Sequence, residues 1–246
     1  MEAALRAIGQ PFEILGATDG NCLNAEQRSL ADPWRRRWIT RYPLTDNEIA
    51  CYISHLRAMR HLLADAADQM LTVLEDDVLI SPDLPAVLQA IKTCGKSFDF
   101  IDLHRNFKDN EIFVQCHGLL PGYALGRVGY THMRTLGYVV SRQGAETFLM
   151  RTRRFVHAVD KSLHRYWANG LDIYGLERPV IAPDEVIPSS IDETRERRMA
   201  FADARALHWQ VARRLTRAAD SIAKRLYFPL YVYRGRRTPR SSRVNA

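Results

Sequence analysis

The feature that most constrains the fold is a capped helix followed by an apolar run that ends in three carboxylates. Thr45-Asp46-Asn47-Glu48 has the composition of a capping box, and apolar residues then recur at helical spacing to about Ala66. The next apolar run, Met70–Leu74, predicts a buried strand, and the acidic triplet Glu75-Asp76-Asp77 follows it directly. Further strands and helices are predicted in alternation, which indicates an α/β sheet with helices on its faces.

The other predicted elements lie on both sides of this unit. Strands are expected at Pro11–Leu15, Phe98–Leu103 and Leu136–Val140, with a hairpin in Ile112–Gly129 and an extended segment over Leu171–Ile181. Helices are expected from the chain start through Ala7, from Ser81 to Gly95, from Ser141 through Met150, and from Asp160 to just before Gly170.

The acidic triplet is the clearest candidate site. Three neighbouring carboxylates repel one another unless a positive group lies among them, and open α/β sheets bind ligands at the carboxyl ends of their strands. Because alternate residues of a strand share a side, Glu75 and Asp77 can face one divalent ion together. Oxygen ligands of this kind suit Mg²⁺ or Mn²⁺. The alternative is an exposed acidic turn that caps the next helix.

Length and composition exclude several classes of protein. The 246 residues are 46% hydrophobic and 26% charged, as in an ordinary globular chain. No apolar stretch approaches the roughly 20 residues that cross a bilayer, and the first residues do not resemble a signal peptide, so we expect a cytoplasmic protein. The four cysteines form no C-x-x-C pair, which predicts buried free thiols and neither a zinc framework nor a disulfide set.

The positive charge is concentrated in the tail, residues 195–246. This segment holds 14 of the 35 Lys and Arg residues but 3 of the 28 Asp and Glu residues, so the rest of the chain is mildly acidic. Basic residues alternate there with apolar and aromatic ones, which is typical of a helix lying in a membrane interface. A solvated basic helix that packs on the body by its apolar side is the alternative interpretation.

Five stretches together resemble glycosyltransferase family 25, the lipopolysaccharide and lipooligosaccharide glycosyltransferases. The strongest is a helix of the type E-I-G-C-x-x-S-H followed by L-E-D-D. In chain order the matching stretches are Phe12–Gly20, Thr45–His55, Leu74–Asp77, Gly137–Ala145 and Val159–Asp160. The likeness spans about residues 1–181, and the ordered set is far more specific than any one stretch.

This resemblance implies a nucleotide-sugar-binding fold of the GT-A type with a metal at the acidic triplet. It implies transfer of galactose or a related hexose from a uridine diphosphate sugar to a lipopolysaccharide, oligosaccharide or glycolipid acceptor, with inversion at the anomeric carbon. Family members usually begin with a hydrophobic strand upstream of the helix that starts here at Met1. We therefore expect an N-terminally short catalytic domain over residues 1–194, lacking the first strand, followed by the basic tail.

Five further assignments concern the same site. Inverting transfer needs a carboxylate base, and Asp160 is our candidate; as an alternative it is a plain helix N-cap. Asp19 and Gly20 can contact the donor, or can serve only a tight turn. His55 is assigned to the donor or the metal, although a histidine on a helix is more often structural. Asp76 is assigned to the donor.

Two other functions remain possible from the sequence. Because the opening strand is missing, the chain can be a non-catalytic remnant that binds a glycan or a protein partner. The basic tail alone suggests nucleic-acid binding, but the acidic body and the lack of a nucleic-acid module argue against it. We expect no nucleic-acid partner, and peripheral contact with the inner face of the inner membrane through the tail.

Overall fold

The computed structural model describes residues 1–40, 42–104, 112–129, 134–184 and 207–236. Within these ranges the helices are α1 Glu2–Ala7, α2 Ala25–Ser29, α3 Pro33–Arg37, α4 Asp46–Ala64, α5 Leu84–Thr93, α6 Arg142–Arg151, α7 Val159–Leu163, α8 Tyr166–Asn169 and α9 Leu207–Arg236, with a short 3₁₀ helix at Gly20–Cys22. The strands are β1 Met70–Leu74, β2 Val78–Ile80, β3 Phe100–Asp102, β4 Phe113–Leu120, β5 Tyr123–Val128, β6 Gly137–Ser141, β7 Ile173–Leu176 and β8 Ile181–Pro183.

Six strands form one mixed sheet in the order β1-β6-β3-β7-β5-β4. Only the β3–β7 pair is parallel among the described neighbours of this sheet, and the other pairs are antiparallel. Strands β2 and β8 form a separate antiparallel pair. One core cluster contains α4, α6 and α7 residues, and the other contains α5 residues. The α/β architecture with flanking helices is therefore confirmed.

The sheet register fixes the position of the acidic triplet in the fold. Strand β1 lies at the edge of the described sheet and pairs with β6 from Met70–Ser141 to Leu74–Gly137. Beyond Leu74, the Glu75 amide still donates to the Leu136 carbonyl at 2.9 Å. Glu75 is thus held at the end of the ladder, and the next two residues form a turn that leads into β2.

Helix α4 is stabilised both by its N-terminal cap and by its buried face. Its capping box is complete, because Thr45 Oγ1 accepts from the Glu48 amide and the Glu48 carboxylate accepts from the Thr45 amide. Tyr52, Met59 and Leu62 on its inner face are essentially inaccessible to solvent. Burial of such side chains stabilises the fold by about 1.5–3 kcal/mol each, so α4 is held by packing as well as by its cap.

Helix α9 packs on the body through its C-terminal half. The Tyr231 ring stacks on Tyr166 at 3.9 Å between centroids, and the fully buried Arg127 guanidinium lies between the rings of Tyr231 and Tyr174. Lys96 Nζ donates to the Gly235 carbonyl at 2.6 Å. The basic tail is therefore helical over its described part. The predicted boundary between residues 194 and 195 lies outside the described residues.

None of the described helices combines the length and apolar character that crossing a bilayer requires. In α9, which is long enough, basic residues recur between the apolar ones.

Several predicted elements were wrong or displaced. Pro11–Leu15 is not a strand; Ile14 and Leu15 are exposed and the segment pairs with no described strand. Strand β1 is half-buried because it lies at the edge, and β2 was not predicted. The helix expected from Ser81 begins at Leu84, after a turn in which Ser81 Oγ accepts from the Asp83 amide.

Two further corrections concern the Asp160 segment and the cysteines. The helix expected from Asp160 begins one residue earlier and divides into α7 and α8 at His164 and Arg165. The four cysteines are free as predicted, but Cys22 is exposed and the other three are half-buried.

Candidate functional site

The acidic triplet presents its three carboxylates to different environments. Glu75 is half-buried, Asp76 is exposed, and Asp77 is half-buried; its fully enclosed oxygen Oδ1 has no hydrogen-bond partner among the described residues. Burial raises the pKa of Asp77, and the charges of Glu75 and Asp76 raise it further. The alternative of an exposed acidic turn describes Asp76 but not Asp77, because an enclosed carboxylate oxygen without a donor is costly.

Helix α4 directs two side chains toward Glu75. His55 is buried, with Nδ1 at 2.9 Å from the Tyr138 hydroxyl and Nε2 at 3.4 Å from Glu75 Oε1. Cys51 lies one turn earlier on the same face, and a ligand atom from each of Cys51, His55 and Glu75 lies within 4.8 Å of the others. His55 is therefore held between β6 and the triplet.

Asp160 belongs to the same neighbourhood. Burial raises the pKa of the Cys51 thiol to about 12, and the charges of Glu75, Asp160, Glu48 and Asp77 contribute in that order. The predicted base and the predicted metal ligands thus act on one point of α4, although Asp160 follows the triplet by more than eighty residues. Helix α7 contacts α4 directly.

Asp160 is not a helix N-cap. The N-cap of α7 is Ala158, which makes no side-chain capping bond, and Asp160 is the second helical residue. Its Oδ1 accepts from the Lys161 amide at 2.6 Å, and the residue is 9% exposed. The N-cap interpretation is therefore wrong for this position, and the role of general base stays a prediction.

A second buried histidine supports the backbone at Asp160. His164 Nδ1 lies 2.8 Å from the Asp160 carbonyl oxygen, and Nε2 lies 3.0 Å from Asp102 Oδ2 at the end of β3. The other oxygen of Asp102 accepts from the His104 amide at 3.0 Å. Because both ring nitrogens face acceptors, His164 is best described as an imidazolium that ties α7 to β3.

Basic side chains gather beside Asp160. His157 Nε2 contacts Arg165 Nη1, and Arg165 also pairs with Asp220 of α9. Burial, and then the charges of Arg165, Lys161 and Arg36, lower the pKa of His157 to about 2. Burial and the charge of Arg165 likewise lower the pKa of Lys161. An anion at this place would relieve their mutual repulsion.

Asp19 and Gly20 lie beside the N-terminus of α4. The exposed Asp19 caps the 3₁₀ helix by accepting from the Asn21 amide at 2.8 Å. Gly20 is buried, and a Cβ there would meet Asn47 Oδ1 at 2.1 Å and the Asn47 amide nitrogen at 3.0 Å. These contacts give both residues a structural role in the turn, while donor contact stays a prediction. Thr18, which precedes Asp19, is attached to α4 because its amide donates to Ser54 Oγ at 2.9 Å.

The side chains at the triplet fit a hard divalent ion. Glu75 and Asp77 supply carboxylate oxygens, and in the described part of the chain no donor reaches the enclosed Asp77 Oδ1, which a cation would satisfy. Oxygen ligands with neighbouring carboxylates of the same charge suit Mg²⁺ or Mn²⁺. The metal itself stays a prediction.

Sequence reasoning missed three parts of this site. Cys51 was noted only as part of a motif, and Tyr138 only as a strand residue. The Asp102–His164 pair joins residues 62 positions apart. His55 was assigned to the donor or the metal, and the i, i+4 spacing of Cys51 and His55 would have placed both on one helix face, but nothing in the sequence joined Cys51 to Glu75.

Comparison with known proteins relates this geometry to a family. A family model described as glycosyltransferase family 25 (LPS biosynthesis protein) matches residues 1–163. A glycosyltransferase 25 family member of Aedes aegypti is 29% identical over 157 residues, covering 58% of this chain and 24% of that protein. Procollagen galactosyltransferase 1 of Danio rerio is 28% identical over 150 residues, covering 56% and 23%. The matched region thus spans about a quarter of each relative.

The family match includes every residue that the sequence analysis assigned to the candidate site. The region 1–163 contains Asp19, Gly20, His55, the acidic triplet and Asp160. It also contains α4, β1 and β6, the elements that position them. Since the family model matches well over half of the chain, the protein belongs to glycosyltransferase family 25.

Proposed function

We propose that this chain is a hexosyltransferase that transfers a hexose, galactose, from a uridine diphosphate donor to a lipopolysaccharide or related oligosaccharide. The observation that carries the proposal is geometric: Glu75 lies 3.4 Å from His55 of α4, and α7, which bears Asp160, packs against the same helix. Among the described residues, the enclosed Asp77 Oδ1 has no hydrogen-bond partner. The family description supports lipopolysaccharide biosynthesis, and the name of the Danio rerio relative supports galactose. The proposed fold type is GT-A.

The proposed chemistry divides the acids between two tasks. Glu75 and Asp77 would hold Mg²⁺ or Mn²⁺, which when bound neutralises the charge of a departing diphosphate. Asp160 accepts the proton of the acceptor hydroxyl, as an inverting transfer requires. The His164 imidazolium holds the Asp160 carbonyl, and thereby fixes the start of α7. Asp76, which is exposed, and the Asp19–Gly20 turn are proposed to contact the donor.

The test is binding of uridine diphosphate sugars, measured by calorimetry with and without Mn²⁺. We expect one donor to bind only when Mn²⁺ is present, and the Asp77→Ala variant to lose at least tenfold in affinity. Asp68→Ala is the matched control, because Asp68 is exposed at the other end of β1. A folded chain that binds no such sugar, or an Asp77→Ala variant that binds normally, would contradict the proposal and favour a non-catalytic glycan-binding or partner-binding role.

We also propose that α9 lies on an anionic membrane surface. Six large apolar side chains of this helix are exposed, and they recur at intervals of three, four or seven residues: Val211, Leu215, Ile222, Leu226, Leu230 and Tyr233. This spacing places them on one helix face, away from the face that Tyr231 packs on the body. Exposed Arg214, Arg225 and Arg234 flank the stripe. Such a helix lies in the interface without spanning the bilayer.

A further inference from the structure

Cys51, His55 and Glu75 form a compact group of three different ligand types. The sulfur, one ring nitrogen and one carboxylate oxygen all lie within 4.8 Å of one another. Cys51 and His55 are four residues apart on α4 and so project from the same face, while Glu75 follows β1. Helix α4 and the backbone hydrogen bond that extends the β1–β6 ladder to Glu75 therefore hold the three side chains together.

The His55–Glu75 distance fits a shared ion better than a direct hydrogen bond. Nε2 and Oε1 are 3.4 Å apart, whereas N–H···O bonds are usually about 2.7–3.2 Å. Two ligands that each lie about 2.1 Å from one tetrahedral Zn²⁺ are separated by about 3.4 Å. The observed spacing is therefore the one expected for two ligands of one ion.

The surroundings favour a cation at this point. Tyr138 is fully buried and its hydroxyl oxygen lies 2.9 Å from His55 Nδ1. In the tautomer in which Nδ1–H donates to that oxygen, Nε2 offers its lone pair toward Cys51 and Glu75. Metal-binding histidines usually have their second nitrogen held in this way. The carboxylates of Glu48, Asp77 and Asp160 add negative charge around the sulfur.

We infer that Cys51, His55 and Glu75 form a binding site for a thiophilic divalent cation such as Zn²⁺. The sulfur–metal bond forms as the thiol releases its proton to solvent, and three protein ligands leave a fourth position for water. Sulfur and imidazole ligands distinguish this site from the hard-ion site proposed at Glu75 and Asp77. Both sites use Glu75, so Zn²⁺ bound here withdraws that carboxylate from Mn²⁺.

The test is a titration of the purified chain with Co²⁺, a spectroscopic substitute for Zn²⁺. We expect one equivalent to produce thiolate-to-cobalt charge-transfer absorption, which Zn²⁺ then abolishes by displacement. Cys51→Ser should lack this absorption, and His55→Gln should weaken binding at least tenfold. Cys94→Ser is the matched control, because Cys94 is also half-buried, at the C-cap of α5, yet should leave the spectrum unchanged. Metal-free melting curves show that each variant is folded.

A second measurement needs no variant. Bound Zn²⁺ should protect Cys51 from alkylation by iodoacetamide, as followed by mass spectrometry of the wild-type peptide. The inference is overturned if wild type gives no charge-transfer band, if Cys51→Ser retains the band, or if Zn²⁺ leaves Cys51 alkylation unchanged. These readouts do not depend on a sugar nucleotide. A chain that binds Co²⁺ through sulfur but no donor therefore contradicts the proposed function alone.

Discussion

His164 is a buried residue whose hydrogen-bond partners determine its own protonation state. Its two ring nitrogens face the Asp102 carboxylate and the Asp160 carbonyl, and both partners only accept hydrogen bonds. Burial by itself lowers the pKa of His164, but the hydrogen bond and charge of Asp102 outweigh it and the net pKa is raised. The imidazolium and the carboxylate therefore stabilise each other.

This raised pKa predicts a pH dependence of stability. The ordinary histidine value is 6.5, so the contribution of the pair is complete below that pH and is lost as pH rises through the folded pKa. We expect the unfolding free energy of wild type, relative to the neutral double variant His164→Gln/Asp102→Asn, to fall as pH rises above 6.5. Urea unfolding at a series of pH values measures this difference. A difference that stays constant or grows would show that His164 is neutral in the folded protein.

Among the elements, α9 depends on a small aromatic contact. Tyr231 covers one face of the buried Arg127, stacks on Tyr166 and donates its hydroxyl to the Ile173 carbonyl. Without this ring, one face of a fully buried guanidinium would lose its contact. This contact attaches the C-terminal part of the helix, while Asp220 attaches its middle through Arg165.

Removing this ring should both destabilise the fold and release the helix. We expect Tyr231→Ala to cost about 3–5 kcal/mol of unfolding free energy, as for other buried aromatic side chains. Tyr233→Ala, two residues away and 55% exposed, should change it by less than about 0.5 kcal/mol. Urea unfolding gives the free energies, and amide exchange in α9 reports its release. Equal effects of the two variants would contradict this account of the attachment.

The sequence predicted the elements that local signals define, such as capped helices and hairpins. It failed for strands that form only because a distant segment pairs with them. The capping box located α4, and glycine-rich alternation located the β4–β5 hairpin. Pro11–Leu15 has strand composition but no described partner, and β2 exists because β8, a hundred residues later, pairs with it. At the site, the acidic triplet was recognised because it follows a predicted strand. The contact between Tyr138 and His55, in contrast, depends on the sheet register. Long-range pairing is not encoded in local periodicity.

At the scale of the whole molecule, the exposed stripe of α9 predicts membrane binding. We expect wild type to bind vesicles containing anionic lipid more tightly than zwitterionic ones, because basic side chains flank the stripe. Ile222→Glu/Leu226→Glu should lower binding to anionic vesicles at least tenfold, since each side chain buried in the interface contributes about 1.5–3 kcal/mol.

Met150→Glu is the matched control for this vesicle experiment. It places a charge at another exposed apolar side chain, on α6, and should leave binding unchanged. Sedimentation with vesicles measures all four cases. If the Ile222→Glu/Leu226→Glu variant binds as well as wild type, α9 does not contact the bilayer through this face.

Helix α4 has a consequence for how such a site can vary between proteins. Ser54 and His55 are adjacent, yet Ser54 Oγ holds the Thr18 amide on one side and His55 reaches Glu75 on the other. The separation between the Asp19–Gly20 turn and the triplet is therefore set across a regular helix, which is about 10–12 Å wide with its side chains. The intervening segment 23–44 does not enter that distance. Insertions at its exposed positions, such as Glu26, can alter the outer surface of the protein while the spacing between that turn and the triplet stays the same.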